Sequence, residues 1–221
     1  FTRSTPDTAA ALTVGADGKV NWGGAGTVVN PWDEYALEEA IVQAKNAGGK
    51  ATVIAIGGEM HADALKHSLA MGLDEAIRIE DPAVDPTDGL AYGITATAAV
   101  RKLGETRLVI FGKEAVDVGS DQHTAVTARK LGWNLLTGVA KILAVDFAAG
   151  TIKVERALEG GKQVVTFSGG LNDWSLADSK GVKRGYMTVT GTKAGGGLIF
   201  RQSFPYSISG WTPQSPVKPE K

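Results

Sequence analysis

Cysteine is absent from the 221 residues, and histidine occurs only three times. The first absence excludes disulfides, thiolate catalysis and Cys-ligated metals or clusters within this chain. The second leaves little from which to build a histidine metal site, and none is expected. The formal net charge is only −1, which gives no electrostatic case for nucleic acid or an anionic membrane surface. No run approaches the ~18 consecutive apolar residues that a membrane span needs. No signal or transit pattern is visible, so a cytoplasmic location is the expectation. Aromatic residues are few, at 7%, but 43% of the chain is hydrophobic and 21% charged. Those shares are ordinary for a globular protein and allow one large buried core. Glycine, at 29 residues, is plentiful and suggests tight turns and an extended tail.

The densest local pattern is NPWDEYALEEAI, residues 30–41. Asn30 reads as a helix N-cap whose side-chain oxygen accepts from the first turn. Pro31 falls where its missing N–H costs nothing, and Asp33 and Glu34 sit at the positive end of the helix dipole. Ala36, Leu37, Ala40, Ile41 and Ala44 form one apolar stripe. Glu38 and Glu39 lie off it. Acid–base chemistry needs carboxylates that converge from different environments, and no such convergence is legible here. Capping leaves Trp32 and an exposed Asn30 unexplained.

Beyond this helix, patterns of strand and helix alternate up to about residue 131. ATVIAI (51–56), AIRI (76–79) and RLVIFG (107–112) read as strands, the last as the clearest buried one. Residues 59–71, 87–103 and 121–131 read as helices, with Gly72, Gly104 and Gly132 after them. The alternation predicts right-handed βαβ units and a mostly parallel α/β sheet with helices on both faces. Such a sheet usually opens with a buried strand, so residues are expected to be missing before Phe1. ALTVGADGKVNW, with its Asp17-Gly18 turn, reads as a peripheral hairpin. TGVAKILAVD and TIKVERAL flank a second antiparallel hairpin, to which GGKQVVTFSGG adds a third strand. We expect a domain over residues 1–190 and an extended arm over 191–221 that contacts a partner subunit.

Ligands of open α/β sheets bind beyond the carboxyl ends of the strands. This places Phe1 to Arg3, Asn30, Gly57-Gly58 and GKEAVDVGSDQHT (112–124) together. The last loop has Gly112 and Gly119 for close approach, and it opens a helix whose free N–H groups suit an anion. Ser120, Asp121, Gln122, His123 and Thr124 supply polar side chains there, although an ordinary Ser/Asp cap is the plainer reading. No GxxxxGK[ST] occurs, and Gly23-Gly24-Ala25-Gly26 lacks the flanking strand and helix of a dinucleotide motif. His61 and His67 do not share a helix face, and with His123 they read as surface positions. The residues describe a nucleotide-sized crevice with no catalytic set.

TRSTPD, VVNPWDEYALEEAI, ALKHSLAMGLDEAIRI, LVIFGKEAVDVGSDQHTAVTARKLGW and KVERALEGGKQVV follow one another in this order. Together they resemble the beta subunit of electron transfer flavoproteins, the FixA type, over roughly residues 1–165. The resemblance implies a doubly wound, Rossmann-like α/β fold of the adenine-nucleotide-binding type. It implies an electron carrier rather than an enzyme, paired with an alpha subunit that holds FAD near the interface. It implies AMP, or a second FAD in bifurcating members, bound in this subunit. Electrons would pass from flavin dehydrogenases to a quinone reductase or a ferredoxin-type acceptor. Carried over by motif, the nucleotide site comprises Phe1, Thr2, Asn30, Gly57, Gly58, Gly112, Ala115, Asp117, Gly119, Ser120, Asp121, Gln122, His123 and Thr124. Trp32 would face the partner's flavin. His123 stands where the family has a small or hydroxyl residue, which leaves AMP and FAD both open. LNDWSLADSKGVKRG (171–185) occupies the place of the family's docking loop for dehydrogenases. It arrives early, as a shortened loop or with residues lacking between Val165 and Asn172. The alternative reading is an adenine-nucleotide-binding stress or regulatory module of similar fold.

Overall fold

The computed structural model describes residues 1–168, except 8, 12, 19 and 22–24, and the strands Trp174–Ala177, Thr188–Gly191 and Leu198–Arg201. It is a mixed α/β fold organised around one short strand, β5 (Thr52–Ile56). Every residue of β5 after Thr52 is buried, as a continuous β-branched and apolar run requires. Its side chains alternate between two cores. Val53 and Ala55 pack with Leu37, Ala64 and Leu65 of α1 (Pro31–Ala47) and α2 (Ala62–Met71). Ile54 and Ile56 pack with Tyr92, Ala96 and Ala99 of α3 (Gly89–Leu103). Helices therefore cover both faces of β5.

Around it, β6 (Glu75–Ile79) pairs with β5 in parallel, in the register Ile54↔Ile77, the one parallel pair among the described residues. On the opposite edge lie the first residues of the chain. The Thr2 N–H donates to the Ile54 carbonyl at 2.9 Å, and the Phe1 backbone nitrogen donates to the Ile110 carbonyl at 3.0 Å. Segment 107–112, expected as the clearest buried strand, forms no ladder and is only half-buried where it is not exposed. A strand is defined by a paired neighbour, and Phe1 meets this segment at a single carbonyl.

Two further expectations hold at the periphery. β2 (Thr13–Val14) and β3 (Val20–Asn21) form the hairpin around Gly18, whose φ of 76° requires glycine. β1 (Ser4–Pro6) returns against β4 (Thr27–Val29). The strands β7 (Val139–Asp146), β8 (Thr151–Leu158) and β9 (Gly161–Ser168) form an antiparallel meander, extended by β10 (Trp174–Ala177). Its core is Val154, Val165 and Phe167. β11 (Thr188–Gly191) pairs with β12 (Leu198–Arg201). The rest of the expected arm and docking loop lies outside the described residues.

Helix ends follow the glycine signals: Gly48, Gly72 and Gly132 all take positive φ as C-caps. Asp88 caps α3 by accepting from the Leu90 N–H at 2.8 Å. Asn30 departs from expectation, for it makes no side-chain cap bond to α1.

α4 (Gln122–Leu131) docks on α3 through Gly93. A Cβ at Gly93 would lie 2.6 Å from Val126 Cβ and 3.0 Å from the His123 carbonyl oxygen. Thr127 Oγ1, buried in this seam, donates to the His123 carbonyl at 2.7 Å. Gly93→Val should therefore overpack the seam and cost about 1–3 kcal/mol. Urea titration checks this, and an unchanged midpoint would show that the two helices part without loss.

Candidate functional site

Three stretches distant in sequence meet at the carboxyl end of β5: residues 1–3, the start of α1, and the loop 112–121. Arg3 joins all three. Its backbone N–H donates to Asp33 Oδ2 at 3.1 Å, its carbonyl accepts from the Asn30 N–H at 2.9 Å, and its guanidinium pairs with Asp117 at 2.9 Å. The Arg3 and Asp117 side chains are each 12% exposed, enough burial for the pair to escape most solvent screening. Arg3 Nε and Asp117 Oδ1 are nevertheless buried without a hydrogen-bond partner.

Asn30 is 1% exposed, not the exposed residue expected. Its Nδ2 donates to the Glu114 carbonyl at 2.8 Å, and its Oδ1 accepts from the Val116 N–H at 3.2 Å. Beyond that clamp the loop closes on itself. The Ala115 N–H donates to the Ser120 carbonyl at 3.1 Å, and the Gly119 N–H to the Ala115 carbonyl at 2.7 Å. Gly119 takes φ 61° in open space, so it serves the turn. Gly112 has a different task. A Cβ there would run into Asp33 Oδ1 and stand 2.8 Å from the Trp32 carbonyl carbon. Its close approach is to α1, not to the cleft.

Asp33, expected at the positive end of the α1 dipole, also binds residues 1–3. It is 7% exposed and accepts from the Arg3 N–H and, at 3.4 Å, from the Thr2 hydroxyl. Burial raises its pKa to about 6, against the pull of the hydrogen bonds it accepts and of the Arg3 charge. His61, expected at the surface, is 2% exposed, and its Nδ1 accepts from the Ser4 N–H at 3.0 Å. Burial lowers its pKa to about 4, which keeps that nitrogen free to accept. His123 is half-buried, with its ring 5.0 Å from Tyr92 and 5.4 Å from Phe111. Burial, and then the Arg3 charge, lower its pKa to about 4 as well. His67 alone is a surface histidine, 3.5 Å from Glu34.

The cleft these groups enclose is lined by Phe1, Arg3, Asn30 and Asp33 on one side and by Tyr92, Phe111, Ser120 and His123 on the other. Phe1 stacks on Phe111 at 4.8 Å between ring centres. The interior is narrow, about 20 Å³, with some 380 Å³ of free space counting its mouth. Pro86 also lines a second hollow of about 260 Å³ between Gly57, Gly58, Glu80, Asp81 and Val84, beyond the carboxyl ends of β5 and β6.

Of the expected site residues, Phe1, Asn30, Ala115, Ser120 and His123 line the cleft, and Gly57 and Gly58 line the hollow. Thr2 lies beneath, 1% exposed. Asp117 holds Arg3. Gln122 turns its side chain toward Gly89 of α3, where a Cβ would lie 3.0 Å from Oε1. Asp121 precedes α4 without a side-chain cap bond, and its carbonyl accepts from Thr124 N–H at 3.3 Å. Trp32 lies outside the cleft, 38% exposed, with Lys113 Nζ 5.1 Å from its ring centre and Tyr35 beside it.

Sequence reasoning missed Arg3 as a hub, Asp33, Tyr92 and the turn of Glu80 to Pro86. A charged residue among TRSTPD was the available signal for Arg3. Tyr92 looked like one more position of an Ala-rich helix. Among the described residues, no helix is long and apolar enough to cross a membrane.

Comparison with known proteins gives this arrangement a relationship. Residues 18–168 match the family model described as electron transfer flavoprotein domain. Protein FixA of Azorhizobium caulinodans is 39% identical over 146 residues, 64% of this chain and 52% of that protein. Protein FixA of Azotobacter vinelandii is 37% identical over 148 residues, 66% of this chain and 53% of that protein. The electron transfer flavoprotein subunit beta of Clostridium acetobutylicum is 36% identical over 163 residues, 74% of this chain and 61% of that protein. The chain thus spans about half the length of the FixA relatives it matches. Its matched region contains Asn30, Asp33, the hollow at Gly57-Gly58 and the whole loop 112–124, and on that match the chain belongs to the electron transfer flavoprotein domain family.

Proposed function

We propose that this chain serves as the beta subunit of a heterodimeric electron transfer flavoprotein. In this reading it is an electron carrier subunit without catalytic residues of its own. It carries electrons, with an alpha subunit that holds FAD, from flavin dehydrogenases to a quinone reductase or other acceptor. AMP, or the adenosine-phosphate half of a second FAD, occupies the cleft and the adjoining hollow. The observation that carries this is the cleft, bounded by the start of α4, and the neighbouring hollow beyond β5 and β6, which share Pro86 as a wall. The hollow is close to the size of a small-ligand pocket, and a nucleotide supplies an acceptor for the unpartnered Nε of Arg3 in the cleft wall. Ser120 and the free N–H groups of α4's first turn suit its phosphate.

The fold proposed with it is a doubly wound parallel sheet. Supporting this are the helices on both faces of β5 and the succession of 107–112, 1–3, β5 and β6, linked by Phe1–Ile110, Thr2–Ile54 and the β5–β6 pairing. Trp32, exposed at α1's start, faces the partner in this reading.

Co-expression with an alpha subunit should give a yellow heterodimer, and acid extraction should release FAD together with AMP or a second equivalent of FAD. A complex free of adenine nucleotide beyond one FAD would remove the site from this subunit. A stable yellow monomer of this chain would place the flavin here.

A further inference from the structure

We propose that Asn30 is a positioning residue, whose carboxamide clamps the 114–116 backbone so that the 115–120 turn forms one wall of the cleft. The inference rests on the nucleotide-site reading above, but it reverses the role that motif position suggests. Both ends of the Asn30 carboxamide are engaged within the protein: Nδ2 donates to the Glu114 carbonyl at 2.8 Å and Oδ1 accepts from the Val116 N–H at 3.2 Å. The amide, which has a second proton to give, also hydrogen-bonds the Asp33 side chain. The amide fits this task because it offers a donor and an acceptor side by side, matching a carbonyl and an N–H two residues apart.

The rest of the loop's anchoring supports the assignment. Asn30 is itself fixed through its backbone, since its N–H donates to the Arg3 carbonyl at 2.9 Å and its carbonyl accepts from the Asp33 N–H at 2.8 Å. Arg3 then holds Asp117, and Gly112 lies against Asp33. Between these two points, Asn30 is the only side chain among the described residues that bonds the loop backbone from another element. Without it, Glu114 O and Val116 N–H lose their partners, and the turn that carries Ala115 and Ser120 is free to swing.

The experiment compares Asn30→Ala and Asn30→Asp with the parent in the full chain. It follows hydrogen exchange at the Val116 amide without nucleotide, and AMP affinity by calorimetry. Asn30→Ala should speed exchange at Val116 roughly tenfold and weaken AMP by a similar factor, as loss of hydrogen bonds of ordinary net strength predicts. Asn30→Asp keeps an acceptor for Val116 but sets an oxygen against the Glu114 carbonyl. Its AMP affinity should fall in step with whatever protection Val116 loses. Affinity that falls while Val116 stays protected would overturn the proposal in favour of direct ligand contact. Protection lost with affinity unchanged would overturn it too. A parent chain that shows no AMP binding, alone and in the heterodimer, would sink the nucleotide reading instead, and the exchange result would still report whether the clamp exists.

Discussion

Replacing Asp33 with Asn is expected to stabilise the protein at pH 7.5 and to flatten its stability below pH 6. Asp33 is buried, and its pKa rises from 3.8 to about 6 because burial penalises the charged form. For an acid with a raised folded-state pKa, the folded protein binds more protons between these two values than the unfolded chain does. Stability therefore falls as pH climbs from about 4 to about 6, and stays low above. A change of that size corresponds to about 3 kcal/mol. Asn at this position still offers an oxygen to the Arg3 N–H but has no charge to bury.

The difference between the Asp33→Asn variant and the parent isolates the carboxylate. Chemical denaturation from pH 4 to 7.5 is the test, and parallel curves for the two proteins would show that Asp33 titrates normally.

Gly112→Ala is the second substitution expected to act strongly, and it should exceed Gly119→Ala. The alanine Cβ at 112 meets Asp33 Oδ1 and the Trp32–Asp33 peptide, at 2.8 Å from the Trp32 carbonyl carbon and 2.9 Å from the Asp33 nitrogen. Peptide atoms in the first turn of a 17-residue helix have little freedom to move aside. The loop must then lift away from α1, and Asn30 loses its hold on Glu114 and Val116. An overpacking cost of about 1–3 kcal/mol is expected, with loss of nucleotide retention. At Gly119 the added methyl meets nothing, and the cost is only that of a left-handed backbone, roughly 1 kcal/mol. Thermal melting and nucleotide content after gel filtration separate the two. Equal losses, or a greater loss at 119, would mean that the loop's contact with α1 contributes little.

Local signals are read by residues one or two turns away, and these were legible in the sequence. Pro31 at the first helical position, Gly48, Gly72 and Gly132 as helix stops and the Gly18 turn all act within a few residues. The apolar run at 52–56 specified a strand buried on both faces, and the order of motifs specified the family. Tertiary structure decided whatever depends on a partner far along the chain. Asn30 reads as a cap because its own helix is its nearest customer, yet its side chain bonds Glu114 and Val116, 84 and 86 residues on. Asp33 reads as a carboxylate stabilised by the helix dipole, but packing of residues 1–3 and Gly112 against it removes the water and moves its pKa. His61 becomes an interior acceptor only because Ser4 donates to it from 57 residues away. Segment 107–112 has every strand propensity, but a ladder is a property of two segments, and its only backbone contact from residues 1–3 is at Ile110. Propensity and capping are properties of one stretch of chain, whereas burial, protonation and hydrogen-bond choice are set by what folds against it.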